Sequence, residues 1–287
     1  MRTIFCCLLL IVSGASVGAP DRGGCRFNHA AMAFQGQPLQ QTECLLRSVG
    51  KWGKIGAAPA VIPASLADIV GTPVGPLQDT LKAYLSVNQL SAQQLGVALE
   101  GGLSATPVDP GPSVAARYFV IHDTSSPNLA RAAAFPPDDA PALNQLSQYA
   151  GSQSVAHVFV SRTGKNQLGH DFAVPWRATK FETSVLGVQG KGLFLHVELL
   201  QPRRAEPTGP AGNDAIAPRP GFTPEQYTNL ALLYVLASAR GGTWLIPAFH
   251  ATIDKGLPNG HDDPQNFELE RFGDALAALR ASLAKPQ

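Results

Sequence analysis

Apolar positions follow helical spacing in the first part of the chain and strand-like runs in the second. From residue 20 to about 112, short apolar stretches at Leu66 to Val70, Leu77 to Leu85 and Ala92 to Leu99 recur with a helical period, among segments rich in Gly, Pro, Gln and Ala. They predict a small, mainly helical N-terminal region. The segment Thr106-Pro-Val-Asp-Pro-Gly-Pro112 breaks any regular element and suits a linker, so a boundary is expected there. Beyond it, Tyr118 to Ile121, Ala156 to Val160 before Arg162-Thr-Gly164, Leu193 to Leu200 and Trp244 to Ile246 are β-branched and aromatic enough to predict strands. Two helices are signed between and after them. Thr223 and Gln226 form a capping box with Pro224 at the first helical position; Tyr227, Leu230, Ala231 and Tyr234 share a face, and Gly241-Gly242 end the helix. Leu269, Phe272, Leu276 and Leu279 mark a last helix from Phe267 to about Leu283. Strands alternating with helices make residues 113–287 an α/β domain, with no internal repeat.

At the N-terminus, Arg2 precedes the apolar run Ile4 to Val12 and the small residues Ser13 to Ala19, the order of a secretory signal. The run is too short to cross a bilayer. Residues 1–19 are expected to be removed, giving an exported, periplasmic or secreted protein with no integral membrane segment. Of the four cysteines, Cys6 and Cys7 leave with the signal, and Cys25 and Cys44 remain to pair in an oxidising compartment. Closing that loop confers on the order of 3 kcal/mol in the chain-entropy model.

The composition is globular: 45% hydrophobic, and 15% charged against roughly 25% in average domains. With 22 basic and 21 acidic residues and no basic block longer than Arg203-Arg204, nucleic acid is not an expected partner. The histidines carry more information. His122 and His250 emerge at the ends of two predicted strands, where α/β folds build their sites, and Asp263 follows in His261-Asp-Asp-Pro264. Two imidazoles and one carboxylate suit zinc and leave a fourth position for water. Glu198 lies in the apolar strand Phe194-Leu-His-Val-Glu-Leu-Leu200, where a carboxylate is costly unless paired or functional. It reads either as a general base or as the partner of Arg203 or Arg204 at a sheet edge. The mature chain has no Gly-x-Ser-x-Gly elbow and no free thiol, and Gly187-Val-Gln-Gly-Lys-Gly192 precedes a strand instead of following one, so it reads as a loop.

Taken in order, Val120-Ile-His-Asp-Thr124, Val155-Ala-His-Val-Phe159 with Arg162-Thr-Gly164, Val197-Glu-Leu199, the strand ending in His250, and Asp263-Pro264 with Phe267 resemble the zinc-dependent N-acetylmuramoyl-L-alanine amidases that share their fold with the peptidoglycan recognition proteins. The resemblance spans about Arg117 to Phe272. It implies a central mixed β-sheet flanked by helices, zinc bound by His122, His250 and Asp263, and activation of the metal-bound water by Glu198. The implied reaction cleaves the amide between the lactyl group of N-acetylmuramic acid and L-alanine, in peptidoglycan or muropeptides, without a covalent intermediate. Where many members have a lysine two residues before the last ligand, this chain has His261, and the resemblance implies that its imidazole, when protonated, substitutes in oxyanion stabilisation. Gln265 replaces a usual glycine, and Trp176-Arg177 stands where Trp-His is common. His261 and His196 remain alternatives to Asp263 as third ligand, or partners of the ligands, while His157 reads as structural. Members that lack a ligand bind muropeptide without cutting it, which is the alternative function.

Overall fold

Four apolar runs that are buried on both faces, with one partly exposed polar edge strand, set the centre of the fold. In the computed structural model, which describes residues 24–285 except 76, 96–97, 109–110, 151–154, 207 and 210–214, they form a five-stranded sheet. The expected signal segment lies outside the described residues. The strands are β1 (Tyr118–Asp123), β2 (Val158–Val160), β3 (Asn166–Leu168), β4 (Phe194–Leu199) and β5 (Ile246–Phe249), in spatial order β5-β1-β4-β2-β3. All neighbours are parallel except β2 and β3, which pair antiparallel across the Arg162-Thr-Gly164 turn. The sheet is therefore mixed, and its register sets His122 opposite Glu198 and Val120 opposite His196. Every residue of β1, β2, β4 and β5 is buried, which is why these strands read as continuous apolar runs without alternation.

Helices cover the sheet. α1 (Pro38–Leu45), α2 (Ala64–Ala67), α3 (Leu77–Val87) and α4 (Ala92–Leu95) precede it in sequence; α5 (Pro224–Gly241), α6 (His250–Ile253) and α7 (Leu269–Leu283) follow. The capping box of α5 is formed, with Thr223 Oγ1 accepting from Gln226 N–H and Gln226 Oε1 accepting from Thr223 N–H, and Gly242 ends the helix in the left-handed conformation at φ 70°. The last strand begins later than its sequence suggests. Trp244 exchanges backbone hydrogen bonds with Thr72 and Gly71 of the N-terminal region, so only Ile246 onward joins the sheet.

The N-terminal region packs against the α/β part. Phe34 N–H donates to the Tyr118 hydroxyl at 2.7 Å, and that hydroxyl donates to Gln41 Oε1 at 2.8 Å. The expected linker closes a short hairpin, Ala105–Thr106 pairing with Val114–Ala115. One buried apolar cluster runs from Met32 to Leu283 through both parts. Cys25 and Cys44 are joined in a disulfide, which is compatible with an exported protein. The expected loop at 187–192 holds a short 3₁₀ turn, Gly187–Gly190, behind a π-helical segment, Phe181–Leu186. Among the described residues no helix is long and apolar enough to cross a membrane.

Candidate metal centre

Each predicted ligand is delivered by a different device. His122 is the fifth residue of β1, held by a ladder bonded on both sides. His250 is the first residue of α6, where the chain leaves β5 and turns. Asp263 sits in a loop anchored to both: Ala251 N–H donates to its carbonyl at 2.8 Å, and Asp123 N–H donates to its Oδ2 at 3.2 Å. Asp123 is itself fixed by Arg203, whose Nη2 lies 2.9 and 2.7 Å from its two oxygens, and by Gln265 N–H at 3.1 Å.

His122, His250 and Asp263 converge as a buried group able to hold a metal ion. The Nδ1 atoms of His122 and His250 are 2.8 Å apart; Asp263 Oδ1 is 3.1 Å from His250 Nδ1, and its Oδ2 is 3.6 Å from His122 Nδ1. Both imidazoles use Nε2 elsewhere: that of His250 donates to Asp254 Oδ2 at 3.0 Å, and that of His122 meets His196 Nδ1 at 3.1 Å. Two facing ring nitrogens beside a carboxylate require a hydrogen or a metal cation between them. Without a metal, that hydrogen is on His250. Burial pulls its pKa down, but Asp263 and Asp254 outweigh burial and raise it to about 10. Burial, with His250 alongside, holds His122 well below its ordinary value and hence neutral. Asp263 is buried too, yet the charge of His250 keeps its pKa well below the usual carboxylate range.

Glu198 closes the site. Its Oε1 lies 3.9 Å from His122 Nδ1, while its Oε2 is buried and has no hydrogen-bond partner among the described residues. Burial, reinforced by the neighbouring Asp263, pushes its pKa well above the usual carboxylate value. The alternative partner expected for it is engaged elsewhere, since Arg203 pairs with Asp123, and Arg204 pairs with Glu206 at 2.7 Å. Glu198 therefore places an oxygen without a hydrogen-bond partner among the described residues beside a group that could hold a metal ion.

No protein-family model, curated protein or solved structure matches the chain.

The other histidines occupy distinct positions around this group. The ring of His261 stacks on that of His250 with centroids 4.3 Å apart, its Nδ1 is 3.5 Å from Asp263 Oδ1, and its side chain is 54% exposed. It stands at the rim, in contact with a candidate ligand and open to solvent. His196 lies behind His122, outside the converging donors. His157 is structural: its Nδ1 accepts from His196 N–H at 3.0 Å, and its Nε2 donates to the Val174 carbonyl at 3.1 Å. His170 stacks on Trp176, and His29 packs edge-on against Phe27. Sequence reasoning missed Asp254, Asp123 and Glu182. Only Asp254 left a signal, as a carboxylate four residues after a candidate ligand, the spacing that places side chains together on a helical turn.

Proposed function

We propose that the protein is a zinc-dependent amidase that hydrolyses the bond between N-acetylmuramic acid and L-alanine in peptidoglycan or its fragments. One observation carries the reading: three metal-capable donors and an unpaired buried glutamate, drawn from four separate stretches of chain, meet at one point. The donor set fits zinc. Tetrahedral coordination at about 2.0–2.1 Å separates ligand atoms by roughly 3.3 Å; the two Nδ1 atoms are 2.8 Å apart, Asp263 approaches His250 Nδ1 to 3.1 Å through Oδ1 and His122 Nδ1 to 3.6 Å through Oδ2, and one donor atom from each residue lies within 4.8 Å of the others. Asp254 behind His250 supplies the carboxylate–histidine pairing that orients zinc ligands.

His122 Nδ1, His250 Nδ1 and an Asp263 oxygen would hold the zinc ion, which when bound would supply Lewis-acid polarisation of the scissile carbonyl and of the attacking water. Glu198 accepts the proton of that water at its free Oε2 and passes it to the departing amine nitrogen. Burial suits it to both steps, because a raised pKa lets the carboxylate take a proton near neutral pH and hold it until the amine leaves. His261, exposed and stacked on a ligand, donates a hydrogen bond to the developing oxyanion. The choice of substrate rests on the order of motifs from Val120 to Phe267.

Digestion of a defined muropeptide, followed by mass spectrometry, tests the proposal. The zinc-loaded protein is expected to release free stem peptide, and Glu198→Ala to retain zinc while turnover falls about 10²–10⁴-fold. Tight binding of the muropeptide with no release by the zinc-loaded protein would establish a binding module instead.

A further inference from the structure

The Nε2 atoms of the two imidazoles lead away from the metal centre, and both paths end on one short segment. From His250 the path runs through Asp254, whose carboxylate accepts from Phe181 N–H at 2.9 Å and Lys180 N–H at 3.2 Å. From His122 it runs to His196 Nδ1 at 3.1 Å, and from His196 Nε2 to Glu182 Oε1 at 3.3 Å. His196 and Glu182 have no exposed surface. Residues 180–182 thus lie behind both ligands.

Glu182 decides the direction of its path. Its Oε2 accepts from the backbone N–H groups of Ala178 and Thr179, both at 3.0 Å, and from the Thr179 hydroxyl at 2.9 Å. Its Oε1 and His196 Nε2 have no hydrogen-bond partner among the described residues and face each other at ion-pair distance, 3.3 Å. A carboxylate offers no proton, so in the singly protonated imidazole of His196 the hydrogen sits on Nε2 and Nδ1 is bare. His122 Nε2 then donates to that Nδ1, and the lone pair of His122 is left on Nδ1, facing His250 and Asp263. We propose, on the metal-binding reading above, that Glu182 is a positioning residue: acting through His196, it locks His122 in the tautomer whose lone pair faces the metal.

Glu182→Gln separates this role from simple capping of the 178–183 turn. Three donors hold Oε2, so a glutamine keeps its amide oxygen there and turns its amide nitrogen toward His196 Nε2. The amide donates where the carboxylate accepted. Every hydrogen bond in the relay reverses, and His122 is left protonated on Nδ1, against the metal. Titration with Zn²⁺ and Co²⁺ is expected to show about 10–100-fold weaker binding and an altered Co²⁺ visible spectrum, with far-UV circular dichroism unchanged. His196→Asn supplies an amide oxygen where Nδ1 stood, and that oxygen accepts from His122 without help from residue 182. In that background, adding Glu182→Gln is expected to cost no further affinity.

Binding and spectra of Glu182→Gln identical to those of the parent would overturn the proposal. If that variant does not fold, long-range ¹⁵N–¹H spectra of the metal-free parent decide the matter. Protons on Nε2 of His122 and His196 support the relay, and a proton on Nδ1 of His122 refutes it. A parent that takes up no metal contradicts the hydrolase reading, while the tautomer measurement still tests the relay by itself.

Discussion

Glu198 places a buried carboxylate oxygen beside His122 with no hydrogen-bond partner among the described residues. A buried carboxylate oxygen without a partner is destabilising, and the raised pKa of Glu198 reflects that cost. In the metal-free protein, Glu198→Gln is therefore expected to raise the melting temperature near neutral pH while abolishing turnover in the loaded protein. A lowered melting temperature would show that the carboxylate is structural. Asp254 has the opposite character: Asp254→Asn keeps the shape but weakens the acceptor behind His250, and about 10–100-fold weaker zinc binding by competition titration is expected. At this scale the sequence was legible where chemistry and burial conflict. A glutamate in an apolar strand and histidines at strand ends stand out because they violate the local pattern. Glu182 and Asp123 did not, because their partners, His196 and Arg203, are 14 and 80 residues away in the chain and their pairing exists only in three dimensions.

Among the elements, α5 was the most readable, because its cap, its apolar face and its glycine stop are all local signals. The strands β1 and β4 were readable for a different reason: burial on both faces leaves no polar position in most of their length. β3 is a polar, partly exposed edge strand, and β5 is preceded by residues that pair with the N-terminal region, so neither could be bounded from local composition. The last turn of α5 carries a further feature. Buried Arg240 donates to the carbonyls of Ala98, Gly101 and Gly102 and to both oxygens of Asp171, tying the helix to the N-terminal region. Burial pushes the Asp171 pKa up, but the hydrogen bonds and charge of Arg240 outweigh it and hold the pKa below its ordinary value. A carboxylate depressed in the folded state contributes its full stability above the unfolded pKa of about 3.9, and that contribution is lost as pH falls through the folded value. Melting temperatures measured from about pH 7 down to pH 3 should therefore decline less steeply for Asp171→Asn, which starts lower at neutral pH. Parallel curves would mean that the pair contributes nothing to acid sensitivity.

Over the whole molecule, the composition changes at Pro112, yet the packing continues across it. Tyr118, at the start of the central sheet, bonds to Phe34 and Gln41, and Asn266, beside the Asp263 loop, donates its N–H to the Val49 carbonyl at 2.8 Å. Thr252 of α6 donates its hydroxyl to the Leu45 carbonyl, so the N-terminal region braces the elements that carry His250 and Asp263. A chain shortened to residues 113–287 is expected to lack a cooperative melting transition and to bind no zinc. A truncated protein that melts cooperatively and retains zinc would show the region to be an independent attachment.

The central claim is that one zinc ion sits between His122, His250 and Asp263 beside Glu198. Diffraction from crystals of the zinc-loaded protein, recorded on both sides of the zinc absorption edge, tests it most directly. A single anomalous peak is expected at about 2.0–2.2 Å from the two Nδ1 atoms and an Asp263 oxygen, with Glu198 facing its open side. No peak at that position, or one held by other residues, would contradict the account.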